Sequence, residues 1–496
     1  ECPPGTVKSR LSVARNKIKE GVLEYEKESK DKLYSFVGIP FLTSLLAAEA
    51  SGMDIPDIWE GLVISLEQLK KDNIDVERKN NFDKKREGAK TVGEEQNIAV
   101  QDSSSEVKGD SKMSNKIKLR FAVMSDLHYS AEHLHVRDRF KSAINTIYGY
   151  CEGEEYKALD AIYVVGDFTD IGLKSEMEML KEDCDKYIKE GTNLVLTLAN
   201  HELHYVDDYT ESMRNFKEIF KMDFDQHIVM KGYHFISLST TIFDGPWHDS
   251  FDEPKREFLK NALAKAREEG GNKPIFVFQH PGISNTISGG YYGNMELFTA
   301  LKPYPQVIDF SGHSHFAVNN PGEIDQNYFT SVGTGGLLNL HAREDCAQML
   351  LVEVWEDDTV CIKGLDVISG KFFEDIILRE VYDRSKFKYT KQRAMKSTKP
   401  YFEKNTKIKT EISGDRITLT FPAAKIDTER VFKYDVCFVD KNKTVISRFD
   451  AASDFPKFYQ SDTVTISGEL PENAVGVKIY AMGFWGNCSE SIETQI

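Results

Sequence analysis

Eight side chains suited to metal binding or acid–base chemistry follow short apolar runs of this sequence. The runs are residues 119–125, 161–165, 194–198, 275–278 and 306–310. The polar residues that come after them, in the same order, are Asp126 and His128, Asp167, Asn200 and His201, His280, and His313 and His315. Each run has the length and composition of a buried β-strand. The sequence therefore predicts several strands that each end in a potential metal ligand.

The position of these side chains predicts where they meet. Ligands of open α/β sheets bind beyond the carboxyl ends of the strands, so we expect the candidate ligands at the same edge of one sheet. A single Asp-x-His, Gly-Asp or strand-end histidine is common by chance, and only the repetition over five strand ends is informative. The histidines outside this pattern are interpreted as ordinary: His133, His135, His204, His227, His234, His248 and His341.

Residues 115–396 alternate these strand-like runs with helical ones. Helices are predicted at 138–150, 174–189 and 253–269, and the alternation predicts βαβ units with a mainly parallel sheet. Two later runs, 348–354 and 359–362, resemble a hairpin around the turn 356–358. We expect this hairpin to form a second sheet stacked on the first.

The two ends of the chain differ from this central part. Residues 1–72 are predicted to be a helical N-terminal segment, and residues 73–114 a flexible polar linker with too few large apolar side chains to form a core. In residues 400–496, short alternating strands at 416–421, 433–439, 463–467 and 475–481 predict an all-β sandwich. Residues 478–487 resemble the last hairpin of fibronectin III or immunoglobulin-like modules.

The ordered motifs resemble those of the calcineurin-like metallophosphoesterase superfamily, whose blocks run DxH, GDxx, GNH(D/E), H and GHxH. All five blocks occur in order between residues 119 and 315, as Asp126-Leu127-His128, Gly166-Asp167, Asn200-His201-Glu202, His280 and Gly312-His313-Ser314-His315. The one departure is Ala199, where the family has glycine. Since alanine is the smallest possible change, the metal site is expected to survive it.

The resemblance implies a fold, a ligand set and an activity. The fold would be a double β-sheet sandwich flanked by helices. One metal ion would be bound by Asp126, His128 and His315, and a second by Asn200, His280 and His313. Asp167 would bridge the two ions, and His201 would assist the leaving group.

The implied chemistry is hydrolysis of a phosphoester by a metal-bound hydroxide. Two cations about 3.5–4 Å apart can hold that hydroxide and polarise the phosphoryl oxygens. Imidazole, carboxylate and amide donors suit two divalent metal ions such as Mn, Fe, Zn or Ni. A protonated His201 can donate to the departing oxygen. Glu202 would either orient that imidazole or anchor the backbone.

Several family branches are disfavoured by particular residues. Ser/Thr protein phosphatases of the superfamily carry an arginine after the GDxxD stretch, where this chain has Ile171. Purple acid phosphatases carry a tyrosine three residues after the bridging aspartate, where this chain has Asp170. The remaining expectation is a phosphodiesterase or phosphatase acting on nucleotides or other small phosphoesters. Residues 288–293 are either a loop over the site that offers tyrosines for stacking, or an ordinary surface turn.

Composition bounds the partners and the location. The net charge of −16 over 496 residues gives no strong nucleic-acid signal, since a general nucleic-acid binder carries a basic footprint. No apolar run reaches the length of a membrane span; residues 33–48 are the best candidate and contain Pro40. The 7 scattered cysteines indicate buried thiols rather than a disulfide framework, which favours a cytoplasmic over a secreted or cell-surface location. The alternative function is a non-catalytic binding or scaffold protein on the same fold, although none of the motif ligands is missing.

Overall fold

The computed structural model describes residues 116–496, except 204, 206–207, 241, 244–248 and 291–294. The predicted helical segment 1–72 and the predicted linker 73–114 lie outside the described residues. Among the described helices, none combines the length and the apolar composition that a membrane crossing requires.

Six α-helices are described, and three of them match the predicted ones. They are α1 (His135–Gly153), α2 (Lys174–Tyr187), α3 (Asn200–Leu203), α4 (Tyr209–Phe220), α5 (Glu253–Gly270) and α6 (Met295–Leu301). The predictions at 138–150, 174–189 and 253–269 are confirmed by α1, α2 and α5. The start of α5 shows why the sequence folds this way, because the Asp252 carboxylate accepts a hydrogen bond from the Lys255 amide at 3.0 Å.

Strands of the first part of the chain form two large sheets and one small one. They are β1 (Ile117–Met124), β2 (Ala161–Val165), β3 (Asn193–Thr197), β4 (Gln226–Met230), β5 (Tyr233–Ser237), β6 (Ile242–Phe243), β7 (Asp249–Ser250), β8 (Ile275–Pro281), β9 (Val307–Gly312), β10 (Ile324–Gln326), β11 (Thr330–Gly333), β12 (Gln348–Trp355), β13 (Val360–Asp366), β14 (Lys371–Phe372) and β15 (Ile376–Leu378). The first sheet has the order β14-β13-β12-β1-β2-β3, with β15 beside β13, and the second has the order β10-β11-β9-β8-β5-β4. Strands β1, β2 and β3 are parallel, as are β5, β8, β9 and β11. β6 and β7 pair separately.

The two large sheets pack face to face and bury an aromatic core between them. The Phe121 ring lies 4.9 Å from the Phe276 ring, and the Tyr163 ring stacks on Phe278 at 3.9 Å. The outer face of the first sheet is covered by α1, α2 and α4, and that of the second by α5 and α6. The expected double-sheet sandwich flanked by helices is confirmed.

Two sequence predictions about the sheets are wrong. The predicted hairpin exists as β12 and β13, but β12 pairs with β1 and extends the first sheet. Every residue of β12 is buried, so both faces of the strand must be covered by other elements. An interior position in the first sheet, between β1 and β13, provides this burial. The second sheet is formed instead by β4, β5 and β8–β11. The candidate ligands consequently lie at the ends of strands from two sheets rather than at one edge of one sheet.

The C-terminal region, residues 400–496, contains only β-strands as regular elements. They are β16 (Lys409–Ser413), β17 (Arg416–Pro422), β18 (Lys433–Val439), β19 (Val445–Ala452), β20 (Thr463–Glu469), β21 (Gly476–Met482) and β22 (Ile492–Gln495). A three-stranded sheet, β16-β17-β20, and a four-stranded sheet, β19-β18-β21-β22, share one hydrophobic cluster. The all-β character is confirmed, whereas a fibronectin III or immunoglobulin-like module and the domain boundaries at 115–396 and 400–496 stay predictions. The six described cysteines are free, and five of them are buried.

Candidate metal centre

The first cluster of candidate ligands joins the end of β1 to the loop after β9. Donor atoms of Asp126, His128 and His315 lie within 4.8 Å of one another. The Nε2 atoms of His128 and His315 are 3.2 Å apart, and His315 Nε2 is 3.3 Å from Asp126 Oδ1. One ion can therefore contact all three side chains.

The second cluster joins the end of β2 to the ends of β8 and β9. Donor atoms of Asp167, His280 and His313 also lie within 4.8 Å of one another. His280 Nε2 is 2.8 Å from Asp167 Oδ2 and 3.9 Å from Asp126 Oδ1, so the two clusters are adjacent. Asn200, at the start of α3, has a buried Oδ1 atom without a hydrogen-bond partner. A buried amide oxygen in this state is costly, and a cation would satisfy it.

An unusual backbone conformation presents these side chains. Asp126, His128, Asp167, His313 and His315 all have positive φ angles, between 49° and 71°. A left-handed backbone is uncommon for residues other than glycine, and such residues cluster at functional sites. The chain therefore turns sharply at each strand end and directs the polar side chains into one space.

Hydrogen bonds within the main chain hold the two turns of the first sheet together. The amides of Leu127 and His128 both donate to the Asp167 carbonyl, at 2.8 and 3.0 Å. On the second sheet, the His313 amide donates to both carboxylate oxygens of Asp126, each at 3.1 Å. The Asp126 carboxylate thus links the two sheets even without an ion.

Glu202 anchors the backbone behind the site. Its buried carboxylate accepts hydrogen bonds from the amides of Asp167, Thr169 and Ala199 at 3.2, 2.8 and 2.9 Å, and from the Thr169 hydroxyl at 2.8 Å. Of the two roles considered for Glu202, these contacts support the anchor. Burial and the nearby charge of Asp167 raise the pKa of Glu202 to about 7, against the effect of these hydrogen bonds.

Carbonyl oxygens fix the tautomers of two histidines. His280 Nδ1 donates to the Val165 carbonyl at 2.7 Å, and His315 Nδ1 lies 3.3 Å from the Asn339 carbonyl. With the proton on Nδ1, each Nε2 atom can act as a ligand, which is the usual arrangement around protein-bound metals. Burial lowers the pKa of His128 and lowers that of His313 to about 4, so these imidazoles are neutral, as metal binding requires.

His201 lies beside the two clusters, with its ring edge-on to the His128 ring at 4.3 Å, and with His128 and Asp170 it forms a third group of donor atoms within 4.8 Å of one another. Its backbone amide donates to Asp167 Oδ1 at 3.0 Å, while its Nδ1 donates to the Asp170 carbonyl at 2.5 Å. Burial acts to lower the pKa of His201, but the charge of Asp167 and the Asp170 carbonyl raise it above its ordinary value. Burial similarly opposes ionisation of Asp167, yet the imidazoles of His280 and His201 hold its pKa well below the usual range.

The alanine at position 199 packs against the glycine before Asp167. Gly166 has a φ of 78°, and a Cβ built on it would lie 2.5 Å from His280 Nδ1 and 2.6 Å from the Ala199 Cβ. The Ala199 methyl group thus lies beside the Gly166 backbone, in a position that a side chain on residue 166 would obstruct. Ala199 itself is not among the described residues with positive φ, so alanine is compatible with this position.

The sequence reasoning missed three supporting groups. The Asp170 carboxylate lies 3.5 Å from His128 Nδ1, the Asn339 carbonyl faces His315, and the His341 amide donates to the His315 carbonyl at 2.9 Å. The sequence marks Asp170 only as the residue that stands in place of a tyrosine. Its position next to the GDxx block is the one sequence signal for a place near the site. Nothing in the sequence separates His341 from the ordinary histidines. The tyrosines of the 288–293 loop, at 291 and 292, lie outside the described residues.

One of three comparisons with known proteins covers the residues of this centre. Residues 119–317 match the family model described as calcineurin-like phosphoesterase. No curated protein has a sequence that matches this chain. A purple acid phosphatase from yellow lupin seeds is 13% identical with a TM-score of 0.40, over 53% of this chain and 55% of the lupin chain. A protein from Thermus thermophilus is 12% identical with a TM-score of 0.31, over 53% of this chain and 99% of that chain.

The match of residues 119–317 covers every candidate ligand in both clusters. This chain spans about half the length of the lupin phosphatase, so the activity of that whole protein is not transferred here.

Proposed function

We propose that this protein, a metal-dependent phosphoesterase with a calcineurin-like phosphoesterase domain at residues 119–317, hydrolyses nucleotides or other small phosphoesters with two divalent metal ions. The observation that carries this proposal is the pair of adjacent donor clusters, joined by His280 between Asp126 and Asp167. Two such clusters side by side are the arrangement that two-metal hydrolases use.

The residues present fit the metal ions that the family uses. In our assignment, Asp126, His128 and His315 would hold one ion. Asn200, His280 and His313 would hold the other, and the Asp167 carboxylate would be shared between them. The buried Asn200 Oδ1 atom without a hydrogen-bond partner supports its part in this set. Imidazole, carboxylate and amide donors suit Mn, Fe, Zn or Ni.

The chain's own side chains have separate tasks in the proposed reaction. When bound, the ions would supply charge neutralisation for the phosphate and a water molecule acidic enough to serve as the nucleophile. The His201 Nδ1 atom is fixed on the Asp170 carbonyl, so Nε2 is the atom that can hold a proton for the departing oxygen. Glu202 keeps the turn of Asp167 in place through the backbone amides it accepts from.

A small substrate is favoured over nucleic acid by the charge of the chain. The net charge is −16, and a groove for a nucleic-acid backbone would need lysine and arginine side chains to neutralise it. The ratio of turnover on bis(p-nitrophenyl) phosphate to turnover on p-nitrophenyl phosphate distinguishes a phosphodiesterase from a phosphomonoesterase.

The test combines metal counting with turnover of two simple esters. After chelator treatment, reloading with Mn²⁺ is expected to restore two ions per chain and activity on bis(p-nitrophenyl) phosphate or p-nitrophenyl phosphate. Asn200→Ala should lose one ion, whereas the matched control Asn320→Ala, at another buried asparagine, should keep both. One ion per chain with full activity would refute the two-metal assignment. Two ions without turnover of either ester would favour the non-catalytic binding protein instead.

A further inference from the structure

The loop at residues 313–317, which carries His313 and His315 and is called the ligand loop below, is supported by a later segment of the chain around His341. The His341 amide donates to the His315 carbonyl at 2.9 Å, and the Ala317 amide donates to His341 Nε2 at 3.1 Å. The His341 ring also stacks on Phe316, with 4.8 Å between centroids and 4° between planes. His341 therefore contacts three consecutive residues, beginning with a candidate metal ligand.

The His341 ring also contacts the C-terminal region. The Phe455 ring meets the His341 ring edge-on at 5.0 Å, and the Phe432 ring does so at 6.1 Å. Phe455 belongs to a small buried cluster with Ala317, Leu340 and Cys346. The imidazole is thus packed between the ligand loop and two phenylalanines of the β-rich region.

Residues 453–458, between β19 and β20, form the docking loop of the C-terminal region. The Phe455 carbonyl accepts from Asn319 Nδ2 at 2.6 Å, and the Pro456 carbonyl accepts from the Gln348 side-chain amide. Gln348 also accepts from the Val318 amide at 2.7 Å through its Oε1 atom. The docking loop therefore contacts Asn319 directly and Val318 through the Gln348 side chain, and both residues come just after the ligand loop.

Ion pairs hold the docking loop at its two ends. Arg343 lies 3.3 Å from Asp454 and donates to the Ser453 carbonyl, and Lys457 lies 2.6 Å from Asp345. Arg343 and Asp345 come shortly after His341, so the same segment that supports His315 is fastened to the C-terminal region. Ring packing, hydrogen bonds and ion pairs therefore all connect residues 341–345 to the docking loop.

We propose that His341 is a positioning residue for the metal ligand His315, and that the docking loop of the C-terminal region holds His341 in that role. The inference rests on the proposed function in one respect, the assignment of His315 as a ligand. The C-terminal region is then part of the metal centre's support. Groups that orient a metal ligand typically change metal affinity about 10–100-fold when they are removed.

The hydrogen bond to Ala317 allows a sharp test of this role. His341→Phe keeps the flat ring against Phe316 but removes the acceptor, whereas His341→Gln keeps an acceptor at the end of a side chain of similar reach. We expect His341→Phe to weaken one of the two Mn²⁺ sites about 10-fold or more, measured by competition with a chelator. His341→Gln should recover most of that affinity. His227→Phe, at a histidine of strand β4 that contacts His234 instead, is the matched control and should bind as wild type.

A second pair of variants tests the contribution of the docking loop. Phe455→Leu should weaken the same Mn²⁺ site as His341→Phe. Phe421→Leu, in the core of the C-terminal sheets, should lower the melting temperature but leave Mn²⁺ affinity unchanged below it. The visible spectrum of bound Co²⁺ gives an independent readout, since it reports ligand geometry without any turnover.

The outcomes separate this inference from the proposed function. If wild type binds two ions and His341→Phe binds both as tightly, the positioning role is refuted. Equal weakening in His341→Phe and His341→Gln would also overturn it, since the acceptor would not matter. A wild-type protein that binds fewer than two ions would refute the two-metal assignment, and the positioning role of His341 would fall with it only if the ion assigned to His315 is the one that does not bind.

Discussion

Replacement of His201 by alanine tests whether the proposed acid is separate from the proposed metal ligands. The hydrogen bond that links His201 to Asp167 comes from the backbone amide, at 3.0 Å, and alanine retains that amide. The imidazole itself is held by the Asp170 carbonyl rather than by a carboxylate ligand of the metal clusters. We therefore expect His201→Ala to keep both metal ions and to lose the proton donor alone.

The size of the rate loss follows from the charge on the departing oxygen. Removal of a general acid typically costs about 10²- to 10⁴-fold, which corresponds to roughly 3–5 kcal/mol of transition-state stabilisation. That loss is expected for an alkoxide, which needs a proton as the bond breaks. It should shrink strongly for p-nitrophenolate, because this group leaves without protonation.

The assay measures metal content by mass spectrometry and rates on an alkyl and a p-nitrophenyl ester of the same phosphoric acid. His133→Ala is the matched control, because His133 lies at the edge of the site, 4.0 Å from Asp170 Oδ1, and belongs to neither cluster. The control should be within about twofold of wild type on both esters, as for a group outside the reacting set. Loss of an ion in His201→Ala, or an equal rate loss on both esters, would refute the assignment.

Four further predictions follow from single contacts. Asp167→Asn should lower metal content and activity on every ester, since one carboxylate serves both clusters; unchanged metal content would count against the bridge. Gly166→Ala should displace the His280 ring, because the added Cβ would lie 2.5 Å from its Nδ1, and metal analysis should show fewer than two ions. Glu202→Ala leaves three buried amides without an acceptor and should destabilise the fold by about 3 kcal/mol or more, seen as a lower melting temperature in calorimetry. Iron-loaded protein should lack an intense tyrosinate band in its visible spectrum, since Asp170 stands where the purple enzymes have tyrosine.

The positions of many strands and helices could be predicted from the sequence, because they depend on local patterns of residues. Strand β2 was predicted to the residue, and α5 to within one residue of its end. The partner of β12 was not readable, because its pairing with β1 depends on burial against residues more than 200 positions away. Periodicity describes the faces of a strand but not which sheet covers them.

The order of the motifs predicts the candidate ligands, whereas it does not predict their backbone conformation. Aspartate and histidine adopt a positive φ more often than most residues but still in a small minority of cases, so residue type alone does not predict the left-handed turns at Asp126, His128 and Asp167. The contacts that support His315 could not be predicted from the sequence either. They come from a backbone carbonyl at Asn339 and a backbone amide at His341, and main-chain groups leave no trace in a sequence.

The core between the sheets sets the distance between ligands that belong to different sheets. Tyr163 of β2 stacks on Phe278 of β8 at 3.9 Å, four residues before Asp167 and two before His280. One step closer to the site, the His280 imidazole donates across to the Val165 carbonyl of β2 at 2.7 Å. The stack and the hydrogen bond leave little freedom at the two strand ends, where His280 Nε2 and Asp167 Oδ2 are 2.8 Å apart. Close-packed interiors deform little, so the same aromatic packing that stabilises the sandwich also preorganises the candidate metal ligands.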